Sequence, residues 1–145
     1  MLVLKHKLYA IANNTSSEGF LIEIDPGSGV IRDIVRGHSD VWQGSGSINL
    51  SGLATDGSGL FTTQSGQLLY VTLDGNVKSI AGNGTYFELQ PGYDMTKLHK
   101  ASELQLWSTR RTQTAGANVF LAYRDGYVYY SAAGDTAYVE RIACK

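Results

Sequence analysis

The chain has 145 residues, 43% of them hydrophobic and 17% charged, which fits one globular domain with its own core and excludes a disordered tail. A formal net charge of -1 argues against a general nucleic-acid binder. A lone cysteine, Cys144, excludes an internal disulfide framework and a multi-cysteine metal site, and no apolar run approaches the roughly 20 residues that span a bilayer.

Met1-Leu2-Val3-Leu4 is too short for a signal-peptide core, and Lys5 and Lys7 follow at once, so a cytoplasmic setting is the default expectation. From there the chain reads as short apolar runs cut by Gly, Asp, Asn and Ser, about every eight to twelve residues, the pattern of strands and turns. Leu8-Tyr9-Ala10-Ile11-Ala12 is one run and Phe20-Leu21-Ile22-Glu23-Ile24 the next. Asp25-Pro26-Gly27-Ser28-Gly29 turns the chain into Val30-Ile31-Arg32-Asp33-Ile34-Val35. Further on, Leu68 to Leu73 meets Asp74-Gly75-Asn76 and then Val77 to Ala81. Asp-Gly between two such runs predicts a hairpin turn with positive φ at both central residues, and Arg124-Asp125-Gly126 predicts another before Tyr127-Val128-Tyr129-Tyr130. Asp94 to Trp107 reads as a short helix, with Asp94 as its cap and Met95, Leu98, Ala101 and Leu104 at near-helical spacing.

The runs repeat. Leu8-Tyr9-Ala10-Ile11 aligns with Leu60-Phe61-Thr62-Thr63 and Val128-Tyr129-Tyr130-Ser131, each an aliphatic residue followed by an aromatic. The following strand aligns Phe20 to Ile24 with Leu69 to Leu73 and Ala137 to Arg141. An inner strand precedes each unit at Leu2 to Leu4, Gly52 to Thr55 and Val119 to Tyr123, and an outer one closes the first two at Val30 to Gly37 and Val77 to Gly82. Units of four antiparallel strands at roughly 40 to 50 residues are the mark of a β-propeller, with an ordinary β-sandwich as the alternative. The expected fold is therefore all-β, a single domain of about three blades near residues 1–37, 49–82 and 119–145, with a loop insertion at 83–118.

Asp125-Gly126-Tyr127-Val128-Tyr129-Tyr130-Ser131 resembles the "DGNVYVAD" stretch of NHL-type six-bladed propellers. Asn76-Val77-Lys78-Ser79-Ile80-Ala81-Gly82-Asn83-Gly84 resembles their "GxVxTIAGxG" strand, and Lys100 to Leu106 echoes their "AxxAxL" stretch. The polar "NxRIR" segment of that family is replaced by Asp135-Thr136-Ala137-Tyr138-Val139, and the third unit ends before a fourth strand. The resemblance implies a propeller and an interaction role, and it carries no catalytic residues across.

Three blades form an arc with two apolar ends, whereas closed single-chain rings use about four to eight. The expected partner is a second copy giving six blades, or further blades of a longer propeller. In either case the tight turns lie at one end of the arc. The connections at Asn13 to Gly19, Gly37 to Ile48 and Asn83 to Asn118 emerge at the other, where a ligand is expected.

The candidate ligand-binding residues are Arg36, His38, Asp40, Trp42, Tyr86, Tyr93, Trp107 and Arg110. Both tryptophans fall in these loops, and Trp, Tyr and Arg bury large area while keeping a polar end. The alternative is that the aromatics plug the loops against the blades. No G-x-S-x-G elbow, Walker loop, paired histidines or calcium loop is present, so no catalytic residue, metal or cofactor is assigned. His38-x-Asp40 alone is a weak catalytic signal. The expected function is a non-catalytic module that binds a protein or peptide across the long-loop end. A lectin-like propeller stacking Trp42, Trp107, Tyr86 or Tyr93 on a sugar ring is one alternative, and a hydrolase or lyase propeller fragment is another. No nucleic-acid or membrane partner is expected.

Overall fold

The computed structural model describes residues 1–13, 19–36, 50–64, 66–84, 92–94, 96–106, 119–132 and 138–144. The chain is all-β. Strands β1 (Leu2–Leu4), β2 (Lys7–Asn13), β3 (Gly19–Ile24) and β4 (Ile31–Arg36) form one antiparallel sheet in that order. Strands β5 (Ser51–Thr55), β6 (Gly59–Gln64), β7 (Gln67–Thr72) and β8 (Val77–Ala81) form a second. Strands β9 (Val119–Arg124), β10 (Tyr127–Ala132) and β11 (Tyr138–Ala143) form a third, of three strands.

The core divides into two clusters because strand side chains alternate between faces. Leu4, Tyr9, Leu21 and Val35 of the first sheet pack with Leu60 and Val71 of the second. Ala54, Phe61, Leu68 and Ala81 of the second pack with Val119, Val128, Tyr130 and Ile142 of the third. The second sheet thus lies between the other two, and β6 is buried at every position. Its neighbours Leu60 and Phe61 enter opposite clusters. Gly59 has to be glycine, because a Cβ there would lie 2.5 Å from the Tyr70 ring and 2.8 Å from the Val71 carbonyl oxygen.

The turns follow from backbone chemistry. Asp125 and Gly126 both have positive φ, 51° and 84°, so the β9–β10 hairpin is the primed turn that Asp-Gly predicts. Lys5 and His6 do the same at 50° and 63° without a glycine. The Asp74-Gly75 hairpin departs from expectation: only Gly75 is left-handed, at 94°. Gly75 N–H donates to the Thr72 carbonyl at 2.9 Å and Thr72 N–H to the Asn76 carbonyl at 2.9 Å, which closes a three-residue loop. That loop combines an ordinary turn with a glycine bulge.

Two further expectations are corrected. Strand pairing sets Tyr9 opposite Glu23, Phe61 opposite Tyr70 and Tyr129 opposite Arg141. Glu23, Tyr70 and Arg141 are therefore the equivalent positions of the third strands, displacing the sequence alignment of Glu23 with Thr72 and Glu140. The helix expected over Asp94 to Trp107 is absent from its described part, which holds one 3-10 turn at Ala101–Glu103. Leu98 is fully exposed, so the near-helical spacing marks no buried stripe. Leu104 and Leu106 instead pack on the second core cluster with the period of an extended chain.

Candidate functional site

The segment from Gly92 to Leu106 covers the gap between β8 and the third sheet. Gly82 N–H donates to the Ala101 carbonyl and Asn83 N–H to the Leu104 carbonyl, both at 2.8 Å, which ties the segment to the end of β8. Above this anchor the Tyr93 ring stacks on the His99 ring, with centroids 4.4 Å apart and planes 15° apart. The Gln105 backbone N–H donates to the Tyr93 hydroxyl at 3.3 Å. His99 Nε2 lies 2.7 Å from the Asp94 carbonyl oxygen. A carbonyl only accepts, so Nε2 is the nitrogen that donates here. The Asp94 carboxylate accepts from Thr96 through its N–H at 3.0 Å and its hydroxyl at 2.6 Å. These bonds, the hydroxyl first, hold Asp94 below the usual carboxylate range.

Glu140 completes the group from the other side. On β11 it sits opposite Tyr130, which in turn sits opposite Leu121, so its side chain points toward the second sheet. Burial pushes its carboxyl up to about 7, and the neighbouring His99 charge opposes this. Its Oε2 is buried with no hydrogen-bond partner among the described residues. Burial, assisted by the Glu140 charge, also raises the Tyr93 hydroxyl. The arrangement pairs a carboxyl that changes charge near neutrality with an imidazole, under an aromatic cover. Chemically it suits proton uptake or release and acceptance of a hydrogen bond. Among the described residues no cluster of three or more His, Cys, Asp and Glu side chains is arranged to hold a metal ion.

Of the residues singled out from sequence, Tyr93 is placed in this group. Arg36 ends β4 opposite Phe20, with only its backbone described. His38, Asp40, Trp42, Tyr86, Trp107 and Arg110 lie outside the described residues. Glu140 escaped the sequence reading. The signal that finds it is the alternation through Glu140 and Ile142, which puts a carboxylate on the inward face of a strand.

A second polar group lies between the first two sheets. The Tyr9 hydroxyl donates to Glu23 Oε2 at 2.8 Å, and Arg32 donates to the same oxygen at 3.1 Å and to the Leu73 carbonyl at 3.3 Å. Burial, then the Glu23 bond, pushes the Tyr9 hydroxyl up to about 12. Arg32, then Tyr9, holds Glu23 below its usual range. Comparison with protein-family models, with curated proteins and with solved structures finds no match.

Proposed function

We propose that the three sheets are propeller blades, and that the chain is a non-catalytic interaction module whose ring is completed by a second copy. A protein or peptide binds across the end where the long connections emerge. The observation that carries this reading is the burial of β6 on both sides, with Leu60 and Phe61 entering different clusters. Sheets stacked serially, face against face, are how blades succeed one another around an axis. The end sheets keep apolar residues on their free faces, with Val3, Ile31, Phe120 and Val139 all more than 60% exposed. Faces of that kind are covered in solution.

The proposed binding end follows from strand order. In each antiparallel sheet, successive connections alternate between the two ends. The short turns at Lys5-His6, Asp56-Gly57-Ser58, Leu73-Asp74-Gly75 and Asp125-Gly126 share one end. The connections spanning 14–18, 37–50 and 82–118 share the other. Selection of peptides from a display library against the purified chain tests this reading. Binding is expected to fall at least tenfold in Trp42→Ala and Arg110→Ala and to stay unchanged in Lys78→Ala, on exposed β8. Binders that ignore both loop substitutions would defeat the proposed end, and a failure to enrich any peptide would defeat the peptide-binding role.

A further inference from the structure

Resting on that reading, we infer that two copies join head to tail: the free face around Leu8 of one copy packs on the free face around Tyr129 of the other. An aliphatic–aromatic pair recurs in the second strand of each sheet, as Leu8-Tyr9, Leu60-Phe61 and Val128-Tyr129. In the first sheet Tyr9 points inward and shares a cluster with Leu60 of the second sheet. In the second sheet Phe61 points the opposite way from Leu60 and shares a cluster with Val128 of the third. Each aromatic therefore meets the aliphatic member of the next pair. The progression leaves two members over, Leu8 at one end and Tyr129 at the other. A second copy supplies both missing neighbours, and six sheets fall within the roughly four to eight that close a ring.

The two free faces are built to differ. Around Leu8 the pairing register lays Val3, Leu8, Ile24 and Ile31 in one unbroken row across all four strands. The adjacent row runs Ala10, Ile22 and Asp33. On the third sheet the free face carries Phe120, Ser131 and Val139 in one row and Ala122, Tyr129 and Arg141 in the next. Arg141 lies over the Tyr127 ring, 4.6 Å from its centroid, and Arg124 stands opposite Tyr127 on the same face. Among described side chains the first face thus bears the Asp33 carboxylate, whereas the other bears the Arg141 guanidinium beside an Arg124–Asp125 ion pair of 3.3 Å. Opposite charge favours unlike faces, whereas like faces would set Arg141 against Arg141 and Asp33 against Asp33. A twofold axis then repeats the same unlike contact twice and leaves no face open.

The test uses the full chain in a Cys144→Ser background, which removes the native thiol. Leu8→Cys and Tyr129→Cys chains are made separately and treated, alone and mixed, with a short thiol-to-thiol crosslinker. A linker is needed because stacked sheets lie about 10 Å apart, beyond the reach of a direct disulfide. Light scattering is expected to give twice the chain mass, with crosslinked pairs in the mixture and none in either variant alone. Asp33→Arg and Arg141→Asp should each weaken the dimer about tenfold, and mixing them should restore it. Crosslinking of Leu8→Cys to itself, or a dimer with no crosslink, would overturn the head-to-tail contact while keeping the two-copy reading. A stable folded monomer would overturn both, and a mass of three or more chains would overturn two-copy closure.

Discussion

Tyr9 and Glu23 face each other across the β2–β3 pair, and the 2.8 Å hydrogen bond between them sits where the first sheet meets the second. Arg32 binds the same carboxylate oxygen and reaches the second sheet through the Leu73 carbonyl. Tyr9→Phe keeps the ring in its cluster and removes the donor. It should cost about 1.5 kcal/mol, the scale for a hydrogen bond to a charged group, read from the midpoint of urea unfolding.

Glu23 also sets an acid limit. Its carboxyl is held below the usual range, first by Arg32 and then by Tyr9. The folded chain therefore keeps this site ionised at pH values where the unfolded chain takes up a proton. Its contribution is complete above the ordinary carboxylate range and is lost as pH falls through it and below. Glu23→Gln should be less stable than the parent at pH 7, and the difference should shrink as thermal melts are taken toward pH 3.

Glu140 behaves in the opposite sense. Buried and raised to about 7, it binds its proton more tightly in the folded chain than in the unfolded one. The groups facing it from the covering segment are His99, whose positive charge would ease its ionisation, and Tyr93. Stability from this site is complete below the ordinary glutamate range and is lost as pH rises through about 7. Glu140→Gln, neutral throughout, should melt higher than the parent at pH 8 and equal to it at pH 4. An unchanged difference between the two pH values would remove Glu140 from this role.

The β1–β2 turn places Lys5 and His6 in the left-handed region at 50° and 63°, where L side chains are strained. Asn-Gly is the pair that this turn favours. Replacing Lys5-His6 by Asn-Gly should raise stability by about 1 kcal/mol, visible as a higher Tm with an unchanged circular dichroism spectrum.

Gly59→Ala sets a Cβ 2.5 Å from the Tyr70 ring and 2.8 Å from the Val71 carbonyl. The backbone oxygen has no room to retreat, so a loss of about 2 kcal/mol is expected on chemical unfolding. Gly57→Ala, where a Cβ would meet open space at a φ of +89°, reports backbone strain alone and should cost less.

The strands were legible because period-2 alternation and Gly-rich punctuation are local properties. Leu8 to Ala12, Leu68 to Thr72 and Tyr127 to Ser131 all fall within strands. Register was not legible, because it depends on the turn between paired strands and not on the apolar pattern within each. The β2–β3, β6–β7 and β10–β11 pairings set Glu23, Tyr70 and Arg141 opposite the aligned aromatics, so Arg141, and not Glu140, matches Glu23. The helix over Asp94 to Trp107 failed for a different reason. Asp94 spends its carboxylate on a local turn with Thr96, and Lys100 is extended at φ -67° and ψ 148°. Tyr93 was singled out by its residue type as a ligand-binding residue, and the fold sets it on the His99 ring, whereas Glu140 on β11 comes near only through the fold.

Strand β6 has no side that faces water. Synthesis delivers the Leu60 cover first, since the opening sheet precedes it, but the cover for Phe61 arrives only with Val119 to Ile142. A chain synthesised only as far as β8 leaves the Phe61 flank without its third-sheet cover, the kind of exposed apolar surface that makes a partly made chain prone to aggregate.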